Sequence, residues 1–201
     1  AKAVASSRAK ARAVVKSRKV AEPAVLSVGQ RAGLHAVDDP LDLKSSVALV
    51  VDQETNQVLF SKNPDAVLPI ASITKLMTAL VVVEAGLSMD EMVSIGPDDV
   101  AATGNNRSRL SAGTEMSRGE MMRLALMSSE NRAANALSRH YPGGAAAFIE
   151  AMNRKAQELG LRDTRFVEPT GLSSDNRSSA KDLAVLVNAA RGGVVDEAAV
   201  A

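Results

Sequence analysis

The chain first concentrates apolar residues just after position 46. Residues 47–51 (VALVV) are apolar, residues 52–56 are polar, and residues 58–60 (VLF) are apolar again. Two short runs rich in β-branched residues around a polar turn predict a β-hairpin. The first run is apolar at every position, which is typical of a central strand.

The pattern after the hairpin is helical. Nearly every position from Leu76 to Val83 is apolar, which predicts a helix buried on all sides. Ser117 to Glu120 match a capping box and precede apolar residues at helical spacing, so a second helix is expected to start at Ser117. Further helical segments are predicted over about residues 133–137, 145–159 and 179–192.

Glycine and proline residues divide these segments. We interpret Gly96-Pro97 as a breaker and residues 104–106 as a turn. Gly160 is expected to follow a helix as its C′ glycine, and Gly192-Gly193 to stop the last helix. A hairpin followed by a largely helical body predicts the α+β fold class.

Length and composition suit one folded domain with flanking segments. With 201 residues, 46% of them hydrophobic, the chain is long enough to bury a core. The predicted domain covers residues 45–190. Residues 1–44 are interpreted as a flexible basic arm and linker, and residues 191–201 as a divergent tail.

Charge is concentrated at one end of the chain. The net charge is +1, so the chain as a whole has no positive electrostatic field that would attract nucleic acid. Residues 1–20, however, hold seven basic residues and no acidic one. This arm can make weak contact with polyanions such as nucleic acid, anionic lipid or wall polymer. It has no uninterrupted apolar segment, so we predict neither an intact signal peptide nor a transmembrane segment.

Several kinds of chemistry are unsupported by the composition. The chain has no cysteine, which excludes disulfides and thiolate chemistry. Its two histidines, His35 and His140, have no acidic residue at a metal-binding offset, so no metal site and no cofactor are expected. Aromatic residues make up 2%, which disfavours stacking on nucleic-acid bases.

The first candidate for chemistry is the pair Ser72 and Lys75. A serine hydroxyl is a poor nucleophile until a base takes its proton. A residue three positions on lies on the same helix face, and a desolvated lysine can lose its proton near neutral pH. The alternative is a surface N-cap serine followed by a solvated lysine.

The second candidate is Ser129 with Asn131, in a break between two predicted helices. A serine hydroxyl both donates and accepts, so Ser129 can relay a proton. The amide of Asn131 can position Lys75 and bind a substrate amide. The alternative is that Ser129 simply caps the helix that follows.

Ser72-x-x-Lys75 followed by Ser129-x-Asn131 resembles the signature of penicillin-binding proteins and class A β-lactamases. Residues 69–79 and 127–137 are similar to two blocks of the low-molecular-mass D-alanyl-D-alanine carboxypeptidases and endopeptidases. Residues 166–172 (FVEPTGL) are similar to a later loop motif, closest to the endopeptidase branch. This resemblance spans about residues 45–190 and implies the transpeptidase fold of penicillin-binding proteins and β-lactamases.

The resemblance implies a serine D,D-peptidase acting on peptidoglycan stem peptides or cross-links. Ser72 would attack the peptide carbonyl, Lys75 would accept its proton, and Ser129 would pass a proton to the leaving amine. Asn131 would orient the substrate. β-Lactams would acylate the same serine. A periplasmic or secreted location follows from such a substrate.

One motif of that family is absent. The chain contains no Lys-Thr-Gly or Lys-Ser-Gly, and the nearest match, Lys44-Ser45-Ser46, precedes the nucleophile. In the family this strand binds the substrate carboxylate and supplies an oxyanion donor. We therefore expect its C-terminal sheet strands to be missing from this chain, and hydrolysis by the 201 residues alone to be weak or nil.

Three other functions stay open. A catalytically inactive cell-wall or penicillin-binding relative would keep part of the groove. A class A β-lactamase is disfavoured. That class needs a glutamate in a Glu-x-x-x-Asn arrangement, whereas here Glu168 is followed four residues later by Leu172. Nucleic-acid binding through residues 1–20 is the remaining alternative.

Overall fold

A computed structural model describes residues 25–104 and 108–200, with the side chains of the last helix described as far as residue 192. The described chain combines a set of α-helices with three small two-stranded sheets. The strands are β1 Ala48–Val51, β2 Val58–Lys62, β3 Leu68–Pro69, β4 Met92–Ser94, β5 Glu115–Ser117 and β6 Arg177–Ser178. The helices are α1 Val28–Arg31, α2 Thr74–Glu84, α3 Pro97–Thr103, α4 Arg118–Met127, α5 Asn131–Arg139, α6 Gly144–Glu158 and α7 Ala180–Val200.

The predicted hairpin is confirmed. Strands β1 and β2 are antiparallel, with Ala48 opposite Lys62 and a register shift between Val50 and Val51. The carboxylate of Asp52 closes the turn by accepting hydrogen bonds from the N–H groups of Glu54 and Thr55. The bond from Thr55 N–H is the main reason why the pKa of Asp52 is lowered.

Two further sheets were not predicted, because their strands are only two or three residues long. Strand β4 pairs with β5, and β3 pairs with β6. In the second pair Pro69 lies opposite Arg177, although these two residues are far apart in the sequence. This pairing brings residues 165–176 next to the start of α2.

Helix α2 is the centre of the core, as its apolar pattern predicts. Met77, Leu80, Val81 and Val82 are each at most 4% exposed. Helices α4, α5, α6 and α7 all contact α2. Burying a side chain of this size contributes about 1.5–3 kcal/mol, so packing around α2 dominates the stability of the described region.

Helix ends test the remaining sequence predictions. Ser117 caps α4 in a full capping box with Glu120, and Gly160 follows α6 with φ 73°, so both predictions are confirmed. Gly96-Pro97 does separate two elements, β4 and α3, but the helix that Pro97 begins was not predicted; at the first helical residue the missing N–H of proline costs nothing. The stop at Gly192-Gly193 is wrong. Helix α7 continues to Val200, since glycine lowers helix propensity by only about 1 kcal/mol.

The segment before the hairpin contains α1 and a 3₁₀ turn over Leu34–Ala36. Asp39 pairs with Lys62 of β2 at 2.7 Å, with both side chains 4% exposed. Asn63 donates hydrogen bonds to the carbonyl groups of Leu34 and Ser46. These contacts fasten residues 34–46 to the end of β2.

Some predictions fall on residues outside the described ranges. They are the basic arm over residues 1–20 with its polyanion contacts, most of the turn at residues 104–106, and the side chains of the tail after residue 192. The three domain boundaries stay predictions. Within residues 25–104 and 108–200, no helix combines the length and apolar character needed to cross a bilayer.

Candidate active site

Ser72 and Lys75 meet where a 3₁₀ turn over Ala71–Ile73 leads into α2. The Lys75 ammonium lies 3.2 Å from the Ser72 hydroxyl and donates a hydrogen bond to it. Lys75 is 2% exposed, whereas Ser72 is exposed. A buried amine therefore contacts a hydroxyl that is open to solvent. The solvated lysine of the alternative interpretation is not what the structure shows.

Ser129 completes a triangle with these two residues. Its hydroxyl donates a hydrogen bond to the Ser72 oxygen over 2.8 Å and accepts one from Lys75 Nζ over 3.3 Å. Ser129 has φ 53°, in the left-handed region that non-glycine residues rarely adopt. The capping alternative is wrong, because the side chain of Glu130 caps α5 by accepting from the Arg132 N–H.

Asn131 begins α5, two residues beyond Ser129. Its Oδ1 atom is buried and has no hydrogen-bond partner among the described residues. An unmet buried acceptor is costly, by about 1–3 kcal/mol. None of the hydrogen bonds found among residues 25–104 and 108–192 joins Asn131 to Lys75. No observed contact therefore supports the prediction that Asn131 positions the Lys75 amine.

A further contributor to the site was not predicted. The carbonyl oxygen of Thr170 accepts the shortest hydrogen bond from Lys75 Nζ, 2.7 Å, and the carbonyl of Pro169 accepts one from Thr78 Oγ1 over 2.7 Å. The sequence motif over residues 166–172 marked this loop as notable. Nothing in the motif indicated that a backbone carbonyl serves the lysine.

The loop also contacts the backbone next to Ser72. Gly171 has φ 86°, and a Cβ atom built on it would lie 1.8 Å from the Ala71 carbonyl oxygen and 2.9 Å from the Ser72 nitrogen. Only glycine fits this approach without moving the chain. Ala71 itself has φ 47°, an unfavourable value for a residue with a side chain. The backbone just before Ser72 is thus held in place by the close approach of Gly171.

The electrostatics of the site favour proton loss from Lys75. Burial lowers the pKa of Lys75 below its usual 10.5, while the negative charges of Glu168 and Glu130 oppose that shift. Its three direct partners are two hydroxyls and a carbonyl, and none of them carries a charge. Burial without a contacting carboxylate is the arrangement that makes a lysine available as a base.

No metal-binding cluster of three or more acidic, histidine or cysteine residues occurs in the described ranges. His140 lies at the end of α5, where its Nδ1 is 2.9 Å from the Ala136 carbonyl oxygen.

Comparison with known proteins gives a consistent assignment. A family model described as D-alanyl-D-alanine carboxypeptidase matches residues 34–200. The D-alanyl-D-alanine endopeptidase of Pseudomonas aeruginosa is 53% identical over 150 residues, which is 75% of this chain and 48% of that protein. The D-alanyl-D-alanine endopeptidase of Escherichia coli is 48% identical over 165 residues, 82% of this chain and 53% of that protein. This chain spans about half the length of these relatives.

Solved structures show the same fold. The carboxypeptidase DacD of Francisella tularensis superimposes with a TM-score of 0.70 at 29% identity, over 77% of this chain and 38% of that one. Penicillin binding protein 5 of Haemophilus influenzae gives 0.69 at 30% identity, over 75% and 46%. These likenesses confirm the predicted α+β fold class.

Proposed function

Because this chain belongs to the D-alanyl-D-alanine carboxypeptidase family, we propose that it is a serine D,D-peptidase in which Ser72, Lys75 and Ser129 are catalytic. The observation that carries the proposal is the triangle of their side-chain polar atoms, with distances of 3.2, 3.3 and 2.8 Å. A nucleophile, a base and a second hydroxyl at hydrogen-bonding distance are the parts that acyl transfer requires.

The proposed first step is attack of Ser72 Oγ on a peptide carbonyl carbon. The hydroxyl proton passes to the neutral amine of Lys75 while the new C–O bond forms. The Thr170 carbonyl and the Ser129 hydroxyl accept the two N–H groups of the neutral Lys75 amine, so its lone pair is left to face the Ser72 hydroxyl. A short, fixed approach of this kind accounts for much of the rate gain in enzymes.

The second step breaks the C–N bond of the substrate. Lys75 returns the proton by way of the Ser129 hydroxyl, which donates to the leaving amine. Water then attacks the acyl-serine ester, and Ser72 recovers its proton. The backbone N–H of Ser72, at the start of α2, is proposed as one oxyanion donor, a contribution that is typically worth about 2.7–4 kcal/mol. Asn131, the first residue of α5 and two positions after Ser129, is proposed to orient the substrate, a role that rests on the Ser-x-Asn motif.

The proposed substrates are peptidoglycan stem peptides, cut after D-alanine, with β-lactams as acylating analogues. The endopeptidases of Pseudomonas aeruginosa and Escherichia coli are 53% and 48% identical to this chain, whereas the carboxypeptidase DacF of Bacillus subtilis is 35% identical. This difference supports cross-links as the preferred substrate. A periplasmic or secreted location is proposed from the substrate. No cofactor takes part in these steps.

Acylation by a fluorescent penicillin tests the proposal. We expect Ser72-dependent labelling that is slow, because the 201 residues hold no Lys-Thr-Gly block to bind the substrate carboxylate and complete the oxyanion hole. The Ser72→Ala variant, which keeps the fold, is the control. The proposed site is contradicted if Ser72→Ala is still labelled, or if the wild type is labelled no more than Ser72→Ala. Labelling as fast as that of the Pseudomonas aeruginosa endopeptidase contradicts the expected weakness.

The other functions have their own signatures in the same experiment. An inactive wall-binding relative would bind peptidoglycan peptides without forming a covalent adduct. A class A β-lactamase would release hydrolysed penicillin in repeated turnovers. Release that leaves no labelled protein would therefore favour the β-lactamase.

A further inference from the structure

The Glu168 carboxylate is surrounded by hydrogen-bond donors. Its Oε2 accepts from the backbone N–H of Thr170 over 2.7 Å and from the hydroxyl of the same residue. Its Oε1 accepts from the N–H of Gly171 over 2.6 Å, from Asn176 Nδ2 over 2.7 Å and from the N–H of Ser173 over 3.5 Å. One side chain therefore organises the whole turn over residues 168–173.

Asn176 ties this turn to the first residues of α2. It is fully buried, and its Nδ2 also donates to Thr74 Oγ1 over 3.1 Å, next to Lys75 in the chain. Its Oδ1 accepts from the Val167 N–H over 2.8 Å, and its backbone carbonyl accepts from the Ile70 N–H. The contacts form a ring from α2 through Asn176 and Glu168 to Thr170, and back to α2 through Lys75.

We propose that Glu168 is a positioning residue for Lys75, because it holds the turn whose Thr170 carbonyl fixes the lysine amine between Ser72 and Ser129. Glu168 does not touch the reacting atoms. It acts through Thr170, whose carbonyl is the closest partner of Lys75 Nζ at 2.7 Å. The inference rests on the proposed function only for the role of Lys75 as the base.

A carboxylate is required at this position. Every contact of the Glu168 side chain in the described residues comes from a donor, so each of its two oxygens must accept. A glutamine has one accepting oxygen, and its NH₂ group would face N–H donors in either orientation. Glu168→Gln therefore removes the charge and also weakens the turn.

The charge has a separate effect on the lysine. The acidic groups that act on Lys75 are Glu168 and Glu130, and its contacting groups are the uncharged hydroxyls of Ser72 and Ser129 and the Thr170 carbonyl. Of the two charges, that of Glu168 raises the pKa of Lys75 more. Removing it therefore lowers the pKa of Lys75, so the amine loses its proton at lower pH.

Two measurements on the full 201-residue chain test the inference. The first is the titration of Lys75 by NMR with ¹³Cε-labelled lysine, assigned by the loss of its signal in Lys75→Arg. The second is the pH dependence of penicillin labelling. The variants are Glu168→Gln, Glu168→Asp and, as a matched control, Glu150→Gln, whose side chain is exposed on α6.

We expect Glu168→Gln to lower the titration midpoint of Lys75, because a negative charge that raises it is removed. Its labelling rate should fall by about tenfold where Lys75 is neutral, since the amine is less well placed. Glu168→Asp keeps the charge but is one methylene shorter, so it should lose rate with little change in midpoint. Glu150→Gln should match the wild type in both.

The inference is overturned if Glu168→Gln leaves the Lys75 midpoint unchanged, or if the Gln and Asp variants shift it equally. It is also overturned if Glu168→Asp labels as fast as the wild type. If circular dichroism shows that Glu168→Gln does not fold, the labelling rate of Glu168→Asp still tests whether Glu168 positions the Lys75 amine. If the wild type shows no Ser72-dependent labelling, the proposed function fails, and the NMR titration still tests Glu168 by itself.

Discussion

Lys62 and Lys75 are both buried, yet their surroundings differ in kind. Lys62 Nζ contacts the Asp39 carboxylate at 2.7 Å and the Leu43 carbonyl oxygen at 2.8 Å. Among residues 25–104 and 108–192, Lys75 Nζ contacts two hydroxyls and a carbonyl, with no carboxylate at hydrogen-bonding distance. The two lysines are 5% and 2% exposed, so burial alone does not separate them.

The difference lies in how the buried charge is balanced. The ammonium of Lys62 has an opposite charge beside it, and the hydrogen bond from Lys62 is the main reason why the pKa of Asp39 is lowered. Lys75 has only neutral partners, and its pKa is lowered by burial. A buried amine paired with a carboxylate is stabilised in its charged form, whereas a buried amine with no opposite charge beside it loses its proton more easily.

The largest expected effect comes from removing the unbalanced amine. Lys75→Met keeps a similar volume and leaves no buried charge behind, so the fold should be retained. Ser72-dependent labelling by fluorescent penicillin should fall by about 10²–10⁴-fold, the usual contribution of a general base. Lys62→Met is the control, and it should label at the wild-type rate below its melting temperature. Equal losses in both variants would show that the two lysines do not differ in function.

The next effect concerns stability. Lys62→Met leaves the Asp39 carboxylate buried without its partner, so the melting temperature should fall by several degrees in circular dichroism. The double variant Lys62→Met with Asp39→Leu removes both charges and should recover part of the loss. A melting temperature of the double variant below that of Lys62→Met would contradict this expectation. It would mean that the loss in Lys62→Met does not come from leaving the Asp39 charge unpaired.

The two sites should respond to opposite ends of the pH range. The folded pKa of Asp39 is lowered from 3.8, so its stabilisation is present above that value and is lost as pH falls through the lowered pKa. The folded pKa of Lys75 is lowered from 10.5, so the unfolded chain binds more protons between the two values, and stability rises with pH in that window. Urea unfolding at several pH values measures both.

Each limb of that profile has its own control. Asp39→Asn should make the acid limb less steep, since Asp52 still contributes to it, and leave the alkaline limb unchanged. Lys75→Met should do the reverse. A profile in which neither substitution changes its own limb would contradict the assignment of these pKa shifts.

The smallest effect is expected at an exposed pair. Lys181 and Asp65 form an ion pair with side chains 58% and 69% exposed. Water screens such pairs, so Lys181→Ala should change the free energy of unfolding by at most about 1 kcal/mol in urea titrations. A loss comparable to that of Lys62→Met would mean that burial is not what makes the Lys62 pair matter.

Much of the fold followed from local sequence patterns. The hairpin, the buried helix α2 and the cap at Ser117 each depend on residues within a few positions of one another. The errors arose where propensity was taken as a stop signal. Pro97 begins a helix, and Gly192 lies inside one, because position within an element and the neighbouring residues outweigh a single residue's preference.

The residues of the site were harder to predict the farther apart they lie in the sequence. Ser72 and Lys75 are three residues apart, so helical geometry alone brings their polar atoms together. Ser129 was joined to them only by the family resemblance, since 57 positions separate it from Ser72. The Thr170 carbonyl could not be predicted, because every residue has a backbone carbonyl and side-chain identity does not mark the one that is used.

The amino-acid sequence by itself determined the hairpin, the buried helix α2, the cap at Ser117 and the candidate residues for chemistry, since these depend on periodicity, capping and residue type. The tertiary structure alone decided that one buried lysine, Lys62, lies beside a carboxylate and the other, Lys75, beside uncharged groups. That outcome depends on which groups the folded chain places around each amine, and those groups come from positions such as Asp39 and Thr170. Electrostatic energy depends on distance in space, which the order of residues along the chain does not contain.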